Sequence, residues 1–315
     1  MQGFLCKYRM LYSIVEKREE KERIMAQIID GKNISEEIKK EIIEETKRLK
    51  ETKGITPGLA VILVGENPAS ESYVRSKGKM SQEMGFYSFT DRLPAETSEQ
   101  TLLNKINEYN RDPKIHGILV QLPLSKHIDE QKVIEAIDPR KDVDGFHPMS
   151  IGKLVIGLDT FRSCTPAGIQ EMLIRSGNDP AGKHVVVVGR SNIVGKPIAN
   201  MLLQKQKGAN AVVTIAHTGA EDLTRYTKFA DILIAAIGKP EAIQGEMLKD
   251  GVVVIDVGIN RVEDASVPKG YRIVGDVHFD SAAKKAKAIT PVPGGVGLMT
   301  VVMLMKNTLK AAQQM

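Results

Sequence analysis

Tyr73 and Lys77 stand four residues apart in a stretch, 70–84, whose pattern predicts a helix, so their side chains share a face. A lysine can move protons only if part of it is neutral, which requires burial or a neighbouring cation. Taken alone, the pair reads more simply as a surface tyrosine beside a solvated lysine. Gln121, in Val120-Gln121-Leu122-Pro123, ends a buried strand. The carboxyl ends of strands form the ligand crevice of open parallel sheets, and an amide there needs partners on both sides. Capping of neighbouring backbone would satisfy it equally. Asp142 and Asp144 flank Val143 just before Gly145, two carboxylates in one short segment. One can face a crevice while the other serves structure, although a turn rich in Asp and Gly has the same composition.

A second set of residues points to an anion. Val185 to Val188 are four β-branched residues in a row, as in a strand buried on both faces. Gly189-Arg190-Ser191-Asn192-Ile193-Val194-Gly195 follows, and then a helical pattern ending near Gly208. Strand, glycine turn and helix start predict free N–H groups and a helix dipole aimed at the turn. The fingerprint is a variant of the dinucleotide one: Ser191 takes the second glycine's place, and Gly195 comes one residue late. Any tight strand–helix turn in an α/β protein could look similar. The next strand, 211–216, ends in His217-Thr218-Gly219, with no acid where NAD would want its ribose hydroxyl held. Arg190 can offer a guanidinium fork to a 2′-phosphate, and Thr218 and His217 can add hydrogen bonds. The pattern therefore favours NADP over NAD.

The elements that must position these groups alternate regularly. Helices are expected at 33–50, 70–84, 98–110 and 129–137, with strands at 59–64, 87–93 and 117–122 between them. Asn33-Ile34-Ser35-Glu36 has capping-box spacing. Thr165-Pro166 opens a new helix with Thr165 as N-cap. Strands at 184–189, 211–216, 231–235 and 252–257 then predict a second parallel sheet. A turn-rich loop, Ile289 to Gly297, precedes a last helix over 298–312. The fold class is α/β, two α/β domains with a cleft between them, the second Rossmann-like. The expected division is an N-terminal extension at 1–24, a catalytic domain at 25–164 completed by the helix at 297–315, and a dinucleotide domain at 165–296.

Composition removes several function classes. At 315 residues the chain is long for one core. It has no Trp and few aromatics, against stacking platforms for nucleic acid, and its net charge of +5 is spread over both signs. No apolar run approaches the roughly 18 residues of a membrane span. Cys6 and Cys164 are the only cysteines, so no disulfide framework or metal spacing is visible, and a reducing cytoplasm fits. Phe4-Leu5-Cys6 is too short for a signal core and is cut by Lys7 and Arg9. Residues 1–24 are expected to be a poorly ordered extension.

Taken in order, these segments resemble the bifunctional methylenetetrahydrofolate dehydrogenase/methenyltetrahydrofolate cyclohydrolase family. The matching pieces are Tyr73-Val74-Arg75-Ser76-Lys77, Val120 to Leu124, Asp142 to Phe146, Cys164-Thr165-Pro166, Val188 to Gly195, Asp256 to Asn260, Gly275-Asp276-Val277 and Thr290 to Gly297. They cover about residues 25–312. The resemblance implies that Lys77 is the catalytic lysine, supported by Gln121, and that Tyr73 stacks on the folate's aminobenzoyl ring. Asp144 grips the pterin. Val120, Leu122 and the loop Pro293, Gly294, Gly295, Val296 and Gly297 line the folate site. Gly189, Arg190, Ser191, His217, Thr218 and Ile259 hold the dinucleotide. It further implies a cytoplasmic homodimer of tetrahydrofolate interconversion and purine biosynthesis, with no metal, nucleic acid or membrane. Three positions depart from the family pattern: Ala220 loses a hydroxyl, His278 replaces an Asp or Asn, and Leu298 replaces a proline. None touches Lys77, Gln121 or Asp144.

The chemistry this implies has two steps. A carboxylate can accept two parallel N–H bonds from a pterin edge and favour the methenyl cation left when hydride departs. Water addition and ring opening then need proton transfer, for which Lys77 is the candidate. A dehydrogenase without cyclohydrolase activity and a non-catalytic nucleotide-binding module remain as alternatives. Hydrolysis of the methenyl compound decides the first, and binding without turnover would mark the second.

Overall fold

Val- and Ile-rich runs form the strands, and the alternation of their side chains builds the core. The computed structural model describes residues 26–315. The expected extension at 1–24 lies outside the described residues. Strands β1 (Gln27–Ile28), β2 (Gly58–Val64), β3 (Tyr87–Leu93) and β4 (Gly117–Val120) alternate with helices α1 (Gly31–Lys53), α2 (Pro68–Glu83) and α3 (Glu99–Arg111). Helices α4 (Glu130–Ala136), α5 (Pro148–Val155) and α6 (Cys164–Arg175) follow. The second part holds β5 (His184–Val188), α7 (Gly195–Leu202), β6 (Val212–Ala216), α8 (Thr224–Thr227), β7 (Ile232–Ala235) and β8 (Val253–Asp256). After these come β9 (Asn260–Glu263), β10 (Tyr271–Val274), α9 (Phe279–Ala283), β11 (Ala288–Ile289) and α10 (Val296–Gln314).

The first sheet is parallel in the order β3-β2-β4, and the second is parallel in the order β1-β11-β8-β7-β5-β6. Leu59, Val61 and Leu63 of β2 face one cluster, together with Val185 and Val187 of β5 and with Ile38, Ile42, Met299 and Val302 of α1 and α10. Ala60, Ile62 and Val64 face a second cluster on the far side of the first sheet. Val186 and Val188 face a third, beyond the second sheet. This is the period-two alternation of buried strands, with one core shared by both sheets.

Several local expectations change. α1 starts earlier than expected and is capped by Asp30, whose Oδ1 accepts from the N–H of Lys32 at 2.8 Å and Asn33 at 3.2 Å. Asn33, the first residue of the expected capping box, lies inside the helix instead, as does Ser35, whose Oγ donates back to Lys32 O. α6 starts after Ser163, not Thr165, and the Thr165 hydroxyl meets Thr300 Oγ1 at 2.8 Å. α7 ends at Leu202, well before Gly208. α5 and the antiparallel β9–β10 hairpin were not expected. β1, allotted to the first domain, pairs with β11 at the edge of the second sheet.

Candidate active site

α2 carries Tyr73 and Lys77 one turn apart. Tyr73 is exposed, but Lys77 is buried at 8% exposure, against the reading as a solvated lysine. Its Nζ donates to Gln121 Oε1 at 2.9 Å. Gln121 continues the ladder past β4: its N–H donates to Ile62 O at 2.9 Å and its Nε2 to Leu122 O at 2.7 Å. The amide nitrogen is thus committed to a carbonyl, which turns Oε1 toward the lysine. Gln121 caps backbone and orients Lys77 at once. Burial pushes the Lys77 amine below the usual lysine range, partly opposed by the charge of Asp144.

The two aspartates divide their roles. Asp142 is buried and accepts from Phe146 N, His147 N and Ser150 Oγ at 3.2, 2.9 and 2.7 Å. Burial raises its pKa to about 6 against those three bonds. It organises the turn into α5. Among the described residues Asp144 has one hydrogen-bond partner, the Cys164 thiol at 3.8 Å. Burial raises its pKa, while the Lys77 charge works the other way. Val120, Leu122, Asp142 and Asp144 line one small cleft.

The glycine turn differs from expectation in one respect. Gly189 has φ 143°, and a Cβ there would lie 2.2 Å from Ala236 O, so only glycine fits between β5 and the neighbouring strand end. Ser191 Oγ accepts from Val194 N and Gly195 N at 3.2 and 3.3 Å, and Ser191 O accepts from Lys196 N at 3.0 Å. These three N–H groups are already bonded and are not free for an anion. Arg190 is exposed, and no hydrogen bond or ion pair holds its guanidinium among the described residues. Val188 pairs with Ala216, which sets the Arg190 turn beside His217 and Thr218 at one sheet end. His217 Nδ1 accepts from Gly219 N at 3.0 Å.

The two lobes meet around a cavity of about 190 Å³ lined by Tyr73, Ile259, Asp256 and the segment Pro291 to Leu298. Leu298 is exposed on its wall. Two acids that the sequence reading placed only within motifs hold the loops here. Asp256 accepts from the N–H of Gly258, Asp276 and Val277, each at 2.9 Å. Burial still lifts its pKa to about 6. Asp276 accepts from Ile237, Gly238 and Lys239 N–H and from Asn260 Nδ2. Their signal was present in Asp256-Val257-Gly258 and Gly275-Asp276-Val277, but not their function as loop anchors. His278 Nδ1 meets Ser281 Oγ at 2.9 Å at the start of α9. No group of three or more metal-ligating side chains gathers among the described residues.

Residues 29–144 match the catalytic domain of the tetrahydrofolate dehydrogenase/cyclohydrolase family, and residues 163–315 match that family's NAD(P)-binding domain. The chain is 60% identical over 286 residues to the bifunctional protein FolD of Syntrophus aciditrophicus, covering 91% of this chain and 97% of that one. It is 58% identical over 289 residues to the Moorella thermoacetica protein of the same name, covering 92% and 99%. The crystal structure of the bifunctional FolD dehydrogenase/cyclohydrolase from Campylobacter jejuni superposes with a TM-score of 0.86 at 46% identity, over 92% of this chain and 99% of that one. The Trypanosoma brucei enzyme, solved with NADP cofactor and an inhibitor, superposes with 0.86 at 40% identity, over 92% and 98%.

Proposed function

The chain belongs to the tetrahydrofolate dehydrogenase/cyclohydrolase family, and we propose that its two reactions share the crevice holding Tyr73, Lys77, Gln121 and Asp144. The protein oxidises 5,10-methylenetetrahydrofolate to 5,10-methenyltetrahydrofolate with NADP and hydrolyses that product to 10-formyltetrahydrofolate. The observation that carries the site assignment is the buried Lys77 amine held at 2.9 Å by Gln121, with Asp144 acting on it electrostatically.

Asp144 is the acceptor for paired N–H donors on the pterin edge. Its negative charge favours the methenyl cation. Lys77 moves the proton of the hydrolytic step. Burial raises its neutral fraction, and the bond to Gln121 fixes where the amine points. Tyr73, exposed at the cavity rim, offers its ring to the folate's aminobenzoyl group. Val120, Leu122 and Pro293, Gly294, Gly295, Val296 and Gly297 shape the remaining walls. NADP, when bound, supplies the hydride acceptor. The chain fits it: Gly189 and Ser191 form the turn, the Arg190 guanidinium has no partner among the described residues, and no acid ends β6. Thr218 and His217 stand beside Arg190, and Ile259 lines the cavity between the lobes.

The same reading assigns folate binding to residues 25–164 with the helix at 297–315, and dinucleotide binding to 165–296. It extends to a cytoplasmic homodimer whose product feeds purine biosynthesis, with sedimentation of the purified protein as the check on the dimer. The site is tested by Asp144→Asn, which keeps the shape and loses the charge. Folate KM should rise by the equivalent of about 1.5–3 kcal/mol while NADP KM holds. Unchanged folate KM and turnover would remove Asp144 from the site.

A further inference from the structure

We propose that Asn307 of α10 is a positioning residue for Asp144, fixing the two backbone segments between which that carboxylate sits. The proposal rests on the assignment of Asp144 to the folate ring. Asn307 is 7% exposed and lies eleven positions along α10 from Val296. Its Nδ2 donates to Val143 O at 2.8 Å and to Arg162 O at 2.9 Å. Val143 directly precedes Asp144, and Arg162 lies two residues before Cys164. Both partners are carbonyls, so the amide can be placed only with its NH2 toward them. One side chain thus ties the Asp144 segment to the start of α6.

The same nitrogen lies 3.7 Å from Cys164 Sγ. The thiol has one proton and two acceptors within reach: Val143 O at 3.4 Å and Asp144 Oδ1 at 3.8 Å. Val143 O accepts from Asn307 as well and has a lone pair for each donor, so the thiol proton can serve either oxygen, and the charged Asp144 carboxylate is the stronger acceptor. Burial pushes the thiol pKa well up, so the sulfur keeps that proton. The result is a relay of contacts from Asn307 through Cys164 to the carboxylate.

The backbone around Asp144 has little slack. Gly145 has φ 70°, and a Cβ there would lie 2.7 Å from Arg162 C and Ser163 N. Ser163 Oγ donates to Gly145 O at 3.1 Å. Asn307 also lines a cavity of about 540 Å³ between α1, α6 and α10. Without its amide, Val143 O and Arg162 O would turn toward water in that cavity, and the carboxylate would move with them.

The test is a double-mutant cycle on the full-length enzyme. Asn307→Ala should raise folate KM about tenfold, the loss expected for a buried hydrogen bond, while NADP KM changes by less than about twofold. In an Asp144→Asn background the same substitution should add less than about twofold. Cys164→Ala supplies a second arm that leaves the amide in place: folate KM should rise, and the rise should vanish when Asp144 is Asn. An unchanged folate KM in Asn307→Ala, an equal rise in NADP KM, or a full additive penalty on top of Asp144→Asn overturns the proposal. If Asn307→Ala does not fold, the Cys164→Ala arm decides by the same criteria. If Asp144→Asn alone leaves folate KM unchanged, the parent assignment fails, which is separate from Asn307 failing while Asp144 holds.

Discussion

Lys77 is costly to keep where it is. A buried amine is easier to hold neutral, so the folded chain binds fewer protons than the unfolded chain between the lowered pKa and the ordinary value of about 10.4. The group's contribution to stability therefore rises with pH, and its cost is present at neutral pH. Activity has the same sign, because the neutral amine gains population as pH rises through that lowered value. Lys77→Met keeps the stem and deletes the amine. Methenyltetrahydrofolate hydrolysis should fall by about 10²–10⁴-fold, with its rise toward alkaline pH removed, while NADP still binds. The variant should melt no lower than the parent. Absorbance of the methenyl compound against pH, with a thermal melt on the same protein, measures both. Parental hydrolysis, or a clear drop in melting temperature, would make Lys77 a packing residue.

Ser191 shows how an element can look right in sequence and work differently. The β5–turn–α7 unit has the expected strand, glycine and helix, yet the Ser191 hydroxyl takes two N–H groups that a glycine would have left open. The charge for a phosphate must then come from a side chain, and Arg190 is a cation at that turn with no partner among the described residues. Arg190→Ala should lower kcat/KM with NADP by at least about tenfold and leave the value with NAD nearly unchanged, since one charge-assisted bond is worth roughly 1.5–3 kcal/mol. Equal loss with both cofactors would assign Arg190 to the turn's shape. Other elements were legible for a plain reason. Strands β2, β5, β7 and β8 are runs of Val, Ile and Leu, where residue type alone reports burial. Caps were less so: Asp30 and Asn33-Ile34-Ser35-Glu36 both satisfy cap chemistry, and tertiary placement chose between them. The β9–β10 hairpin and the two-residue strands β1 and β11 carry no period long enough to read. Lys77, Gln121 and Asp144 were legible by type and place, but the contacts of Asn307 and the loop-anchoring of Asp256 and Asp276 depend on segments far apart in sequence.

The two lobes are joined by more than a linker. Leu59, Val61 and Leu63 from the first sheet share a single buried cluster with Val185, Val187, Ile232 and Ile255 from the second, through α1, α6 and α10. α10 starts at the loop lining the crevice, passes through that cluster and carries Asn307 beneath Asp144. Opening either lobe exposes a face of the other, so global unfolding should involve both. NADP contacts the second lobe in the reading above. At 100 times its Kd it stabilises the state it binds by about 2.7 kcal/mol, which slows exchange through global opening roughly a hundredfold. If the shared core couples the lobes, amide hydrogens in β2 and β4 should gain as much protection as those in β5 and β7. Hydrogen exchange followed by mass spectrometry, with and without NADP and no folate present, separates the cases. Protection confined to β5 through β8 would mean that the lobes unfold independently and that the continuous core is too weak to link them.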